Sequence, residues 1–165
     1  MCHPGLDPGS RKKQMKKKLN IFLFIFIILI LFCVVFFIAK QQKNPRPYLT
    51  INNTKVNLII ADTPAKQVQG LSYQKDLGRD EGMLFIFSQK QNLTFWMKDM
   101  NFPLDIIWIN DNKIIKIDKN LSPEGESPTR AYNSKIPVNY VLEVNAGYSD
   151  AHNIKVGDEV KYFLK

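Results

Sequence analysis

Apolar residues fall into two unlike regimes along the chain. From Leu19 to Ala39 they form 21 residues with no charge and only Asn20 conspicuously polar. At about 1.5 Å per residue a helix of that length measures roughly 32 Å, enough to cross a hydrocarbon core of roughly 30 Å. The segment is expected to be a single transmembrane helix. The competing reading, a cleaved signal peptide, calls for an apolar core of roughly 7–15 residues and small residues at the exit. Here the exit reads Phe36, Phe37, Ile38, Ala39, Lys40, and Phe32 precedes Cys33 where a lipoprotein site needs a small residue.

From Tyr48 onward the apolar residues come in short runs. Tyr48 to Ile51 and Val56 to Ala61 flank Asn52, Asn53, Thr54 and Lys55, which predicts a hairpin. Asp62 or Thr63 caps a short helix with Pro64 at its first position and a stripe of Ala65, Val68 and Leu71. Further strand-like runs are Met83 to Phe87, Leu93 to Lys98, Leu104 to Ile109, Ile114 to Asp118, Val138 to Val144 and Glu159 to Leu164. Asn110, Asp111 and Asn112 supply one hairpin turn, Gly157 and Asp158 another. The expected fold is mostly β, a compact antiparallel sandwich or barrel-like domain with one or two short helices. Leu121 to Pro137, with three prolines and one glycine, is expected to be a long loop of the kind that carries binding residues.

Four segments follow: a basic leader at 1–18, the anchor at 19–39, a linker at 40–47 and a β-rich domain at 48–165. Met15, followed by Lys16 to Lys18, would make a natural start by itself. The net charge of +8 would suggest nucleic acid, but its distribution removes that reading. Residues 1–46 hold nine Lys or Arg and one acid, whereas residues 47–165 hold fourteen of each. Six basic residues precede the apolar run and three follow it, so the positive-inside bias places the N-terminus in the cytoplasm and the domain outside it, in a periplasmic or extracellular setting. The surplus suits anionic lipid at the cytoplasmic face. Cys2 and Cys33 both lie before residue 47, so the outer domain is expected to have no disulfide and no thiol chemistry.

Phe95 to Asp105, reading FWMKDMNFPLD, is the most informative stretch. With Gly70-Leu71, Gly82-Met83-Leu84-Phe85, Tyr140-Val141-Leu142-Glu143 and Gly157-Asp158 it resembles domain-of-unknown-function family 192, over roughly Val56 to Val160. The resemblance implies a small β-rich fold, often exported or membrane-anchored, with no settled activity. This chain departs from the family pattern at Ser72, where a methionine is usual, at Gln74, where an arginine is usual, and at Asp99, where an asparagine is usual.

The chemistry of that stretch leaves alternatives open. In a strand, Phe95 and Met97 face one way and Trp96 and Lys98 the other. Either Trp96 covers a sheet edge while Lys98 pairs with Asp99 or Asp105, or Trp96 and Lys98 form a platform for a small polar ligand. With Asp99, Asp105, Met83 and Tyr132 they make up the candidate binding residues. Asp105 shares its face with Ile107 and Ile109 and would need Lys98 or backbone N–H groups after Pro103 as partners. The alternative is an acid/base role for Asp105 with Asp99 or Glu143. Glu143 faces the same way as Asn139 and Val141, where a solvated strand face accounts for it. Met83, Met97 and Met100 are candidates for a soft metal such as Cu(I), set against their use as gap-fillers. His152 is read as a surface or helix-end residue. No zinc spacing, phosphate-cradling loop or nucleophile elbow is present, and no cofactor is expected.

Three functions are compatible with these residues. One is a membrane-tethered module binding a small polar ligand or an envelope protein through the Trp96/Lys98 surface. Another is a hydrolase or lyase using Asp99, Asp105 or Glu143, and the third is a structural or accessory envelope protein.

Overall fold

The structure, a computed structural model, describes residues 21–34, 36 and 46–164. The chain forms two compact units divided after Asn44. In the first, residues 21–34 are helical with exposed side chains. Among the described residues no helix is long and apolar enough to cross a membrane. The leader 1–18, residues 19, 20, 35 and 37–39 of the expected span, and most of the linker lie outside the described residues.

The second unit carries β1 (Tyr48–Ile51), β2 (Thr54–Ala61), α1 (Pro64–Gln69), β3 (Glu81–Gln91), β4 (Thr94–Phe95), β5 (Leu104–Asn110), β6 (Lys113–Leu121), β7 (Tyr132–Asn133), β8 (Val138–Asn145), α2 (Tyr148–Ala151) and β9 (Val160–Phe163). Seven strands form one sheet in the order β6-β5-β8-β3-β2-β1-β9, and β4 pairs with β7 apart from it. The sheet curls into a half-barrel, so that its two edges meet: Ile114 N–H donates to the Asp158 carbonyl at 3.1 Å and Val160 N–H to the Asn112 carbonyl at 2.8 Å.

The hairpin turns follow the local sequence. Ile51 pairs with Thr54 and Asn110 with Lys113, so each turn has two residues, with Asn52 and Asp111 taking the left-handed conformation (φ 54° and 55°). Short polar side chains tolerate that conformation best after glycine. Thr63 caps α1, its Oγ1 accepting from Lys66 N–H at 3.4 Å, and Pro64 opens the helix.

Several expectations need correction. The sheet is not wholly antiparallel, because β2 and β3 pair in parallel. A parallel pair cannot be closed by a tight turn and requires a crossover, which is the role of α1 and the chain after it. The stripe on α1 is absent: the helix buries no residue, Val68 is exposed, and Leu71 is buried only after the helix has ended. Leu93 to Lys98 is a strand only at Thr94–Phe95. The loop 121–137 contains β7. Gly157, at φ 96°, makes a turn that leads into β9 without a strand entering it.

Strand alternation divides the buried residues between the two faces of the sheet. Ile51, Leu58, Leu84, Ile107, Ile114, Leu142 and Val160 belong to one cluster. That cluster draws on both sheet edges and therefore lies inside the curl. Met83, Phe85, Ile106, Trp108 and Val141 belong to the other, which is completed by Leu93, Met97 and Met100 from connecting segments and by Leu121 at the end of β6. The outer face of β3, β8 and β5 is thus roofed by loops instead of by a second sheet.

Candidate functional site

Under that roof a cavity of about 310 Å³ opens between α1, the chain that follows it and the segment Thr94 to Met100. Phe85, Phe87, Phe95 and Trp96 supply aromatic walls, Leu71 and Met100 aliphatic ones, and Glu143 the sole ionisable side chain of the lining. Phe85 and Phe95 meet edge to face at 4.9 Å between centroids, and Phe95 meets Trp108 in the same way at 5.5 Å. Quadrupole attraction favours that geometry and holds the rings in place. Trp96 is 53% exposed, so it stands at the mouth.

Glu143 is 5% exposed. Across β8 its direct neighbours are Met83 on β3 and Ile106 on β5, neither of which offers a hydrogen-bond donor from its side chain. No side-chain hydrogen bond or ion pair reaches its carboxyl among the described residues. Burial pushes it up to about 8, because the charged form loses hydration that nothing replaces. The expectation of a solvated face for Glu143 is therefore overturned. Its strand face was read correctly, but the loops that cover that face carry no periodicity to announce them.

Close approach of the backbone is built in beside it. A Cβ on Gly82 would sit 2.9 Å from the Glu143 carbonyl oxygen and 3.0 Å from Val144 Cγ1. Only glycine allows β3 to run this close to β8 here.

The rim is cross-braced. Ser72 Oγ donates to the Lys98 carbonyl at 2.9 Å, Tyr73 N–H to the Asp99 carbonyl at 2.9 Å, and Asn101 Nδ2 to the Gln74 carbonyl at 2.8 Å. Tyr73 Oη donates to Asp99 Oδ2 at 2.6 Å, and that hydrogen bond to the carboxylate raises the Tyr73 phenol above its ordinary range. Tyr73 and Asp99 are both left-handed (φ 64° and 54°). A non-glycine residue in that region costs of order 1 kcal/mol or more, so the ties between the two loops hold both turns in place.

Asp99 lines a second, shallower depression of about 340 Å³ with Tyr73, Asn101 and Glu124, and Met100 borders both. Lys98 lines neither, and among the described residues it makes no ion pair with Asp99 or Asp105. Lys98 therefore does not share the cavity that Trp96 lines. Asp105 is wholly buried and on the other face, inside the curl, where Oδ1 accepts from Asn120 N–H at 2.9 Å and Gly147 N–H at 3.2 Å, and Oδ2 from Ser149 N–H at 3.0 Å. It fastens β6 and the turn into α2, with partners from those elements and not from the chain after Pro103. Asp105 and Glu143 face opposite sides of the sheet, so no acid/base pair forms between them.

Tyr132 on β7 pairs with Phe95 and packs against the outer-face cluster without lining the cavity. Met83, Met97 and Met100 are buried in that same cluster. Among the described residues no group of three or more His, Cys, Asp or Glu is placed to hold a metal. His152 caps α2, its ring 4.1 Å from that of Tyr148.

Comparison with solved structures finds the same domain elsewhere. A proposed transcription regulator from Sinorhizobium meliloti 1021 is 32% identical, with a TM-score of 0.64, over 71% of this chain and 92% of that one. A protein of unknown function from Novosphingobium aromaticivorans DSM 12444 is 34% identical, with a TM-score of 0.63, over 69% of this chain and 83% of that one. Comparison with curated proteins gives no match. The model of domain-of-unknown-function family 192, described as "Uncharacterized ACR", matches residues 48–162, and the chain belongs to that family.

Proposed function

We propose that the β domain is a binding module for a small molecule, held at the outer face of a membrane by the apolar segment Leu19 to Ala39. One observation carries the binding reading: a braced, aromatic-walled cavity of about 310 Å³ whose lining includes Glu143, a residue only 5% exposed and without a side-chain hydrogen bond or ion pair. Small-molecule sites are concave and mostly apolar, with a few placed polar groups, and span roughly 300–1,000 Å³. A core built for stability alone would fill such a space and leave no lone acid in it. The tether rests on the uncharged run and on the basic residues that precede it.

Of the six residues expected to bind a ligand, Trp96 lines this cavity, while Lys98, Asp99, Asp105, Met83 and Tyr132 do not. The carboxylate-based hydrolase or lyase is less well supported, since Glu143 is the only carboxylate of the lining. The regulator description attached to the Sinorhizobium protein is not carried over: residues 47–165 hold equal numbers of basic and acidic residues and offer no surplus for phosphates. The exposure of Val68 (78%) and Trp96 (53%) at the mouth favours, as a second reading, an envelope protein that inserts one side chain.

The test is native mass spectrometry of the full chain in detergent, mixed with a library of small aromatic and aliphatic metabolites. The expected result is a retained adduct that Trp96→Ala weakens without loss of folding. A protein that stays bare with every compound would overturn the small-molecule reading.

A further inference from the structure

The composition of the cavity also constrains the charge of what enters it. Glu143 is the only titratable side chain in the lining, and no Lys, Arg or His contributes to it. An anion would therefore find no opposite charge and would meet an acid instead. A neutral ligand could hydrogen-bond to Glu143 and stack on the four aromatic rings, but would gain no charge attraction from either. A cation uses both. Ring faces attract an ammonium by their quadrupole, with about 2 kcal/mol or more available when the pair is shielded from water. A carboxylate flanked by Met83 and Ile106, with no donor of its own, gains from an ammonium both the hydrogen bonds and the charge it lacks. At about 310 Å³ the space sits at the small end of small-molecule sites, with room for a small molecule or for one side chain of a larger partner.

Resting on that reading of the cavity, we infer that its ligand is a small organic amine, bound as the ammonium against Glu143 with an apolar or aromatic body packed on Phe85, Phe87, Phe95 and Trp96. Binding then moves a proton. In the free protein at neutral pH the Glu143 carboxyl keeps its proton, since burial holds it at about 8. The amine arrives as RNH3+, the complex contains carboxylate and ammonium, and the carboxyl proton passes to solvent. One proton leaves for each amine bound, so affinity rises about tenfold per pH unit below about pH 8 and levels off above it.

Calorimetric titration of the full chain in detergent tests this with benzylamine, 2-phenylethylamine and tryptamine and with their alcohol counterparts. Each titration is run at pH 7 in two buffers of different ionisation enthalpy and repeated at pH 9. At least one amine should bind at least tenfold more tightly than its alcohol, releasing close to one proton at pH 7 and few at pH 9. Glu143→Gln should weaken the amine about tenfold or more and remove most of its preference over the alcohol. If the alcohols saturate the site as tightly as the amines, or if amines bind without proton release at pH 7, the amine inference falls while the cavity remains a small-molecule site. If no amine or alcohol binds at millimolar concentration, the inference and the cavity reading fall together. Proton release is read on the unmodified chain, so the result does not depend on the variant folding.

Discussion

Met83 on β3 and Glu143 on β8 stand directly opposite each other across the antiparallel ladder, at 6% and 5% exposure. The acid therefore faces a thioether on one side and Ile106 on the other, and the energetics of the outer face turn on which protonation state it holds.

Stability should depend on pH through this one group. Glu143 has a folded value of about 8 against an ordinary 4.5, so between those values the folded chain keeps a proton that the unfolded chain releases. That contribution is fully present below about pH 4.5, declines as pH rises, and is gone above about pH 8. Its size is on the order of 5 kcal/mol. Glu143→Gln, an isostere of the protonated acid, should unfold with the wild type at pH 4.5 and be the more stable protein by pH 8 to 9. Thermal melts across that range check this, and parallel profiles for the two proteins would refute it.

A donor placed opposite the acid should relieve it. Met83→Gln puts an amide N–H within reach of the carboxyl across the ladder, and hydrogen bonding to the ionised form lowers a carboxyl's titration. Met83→Leu offers no donor and should leave it high. Carbon-detected NMR of the Glu143 carboxyl should show the first variant moving toward the ordinary carboxylate range and the second staying near the wild type.

Asp105 should behave as a structural residue. Its three accepted backbone N–H bonds tie β6 and the turn into α2 to β5, and Asp105→Asn turns an amide toward N–H groups that need an acceptor. Denaturant unfolding should show a loss of about 2–4 kcal/mol, while amine affinity of the folded fraction stays within about twofold.

Gly82→Ala should cost stability and also disturb the site. The new Cβ would press on the Glu143 carbonyl at 2.9 Å, a backbone atom that can move only if β8 moves. A loss of about 1–3 kcal/mol is expected from overpacking. Weaker ligand binding should accompany it, because the carboxyl rides on the displaced strand.

Local chemistry determined much of this domain. The strands other than β4 and β7, the turns at Asn52 and Asp111, the Thr63 cap with Pro64 and the shared face of Asp105, Ile107 and Ile109 all follow from interactions within a few residues, where turn preference, capping and side-chain alternation act directly. The family was legible for a related reason, since motifs such as Phe95 to Asp105 and Gly82 to Phe85 keep their order and spacing along the chain. Tertiary structure alone decided that α1 carries a parallel crossover, that Trp96 lines the cavity and Lys98 does not, and that Glu143 is buried. Alternation states which face a residue is on but not what lies over that face. Here the cover is made by Leu93 to Phe102 and Leu121 to Tyr132, segments with little regular structure beyond the short β4–β7 pair and held by hydrogen bonds between distant parts of the chain, such as Glu124 N–H to the Met97 carbonyl at 2.8 Å. Contacts of that kind join residues far apart in sequence, so the buried acid and its cavity exist only once the chain has folded.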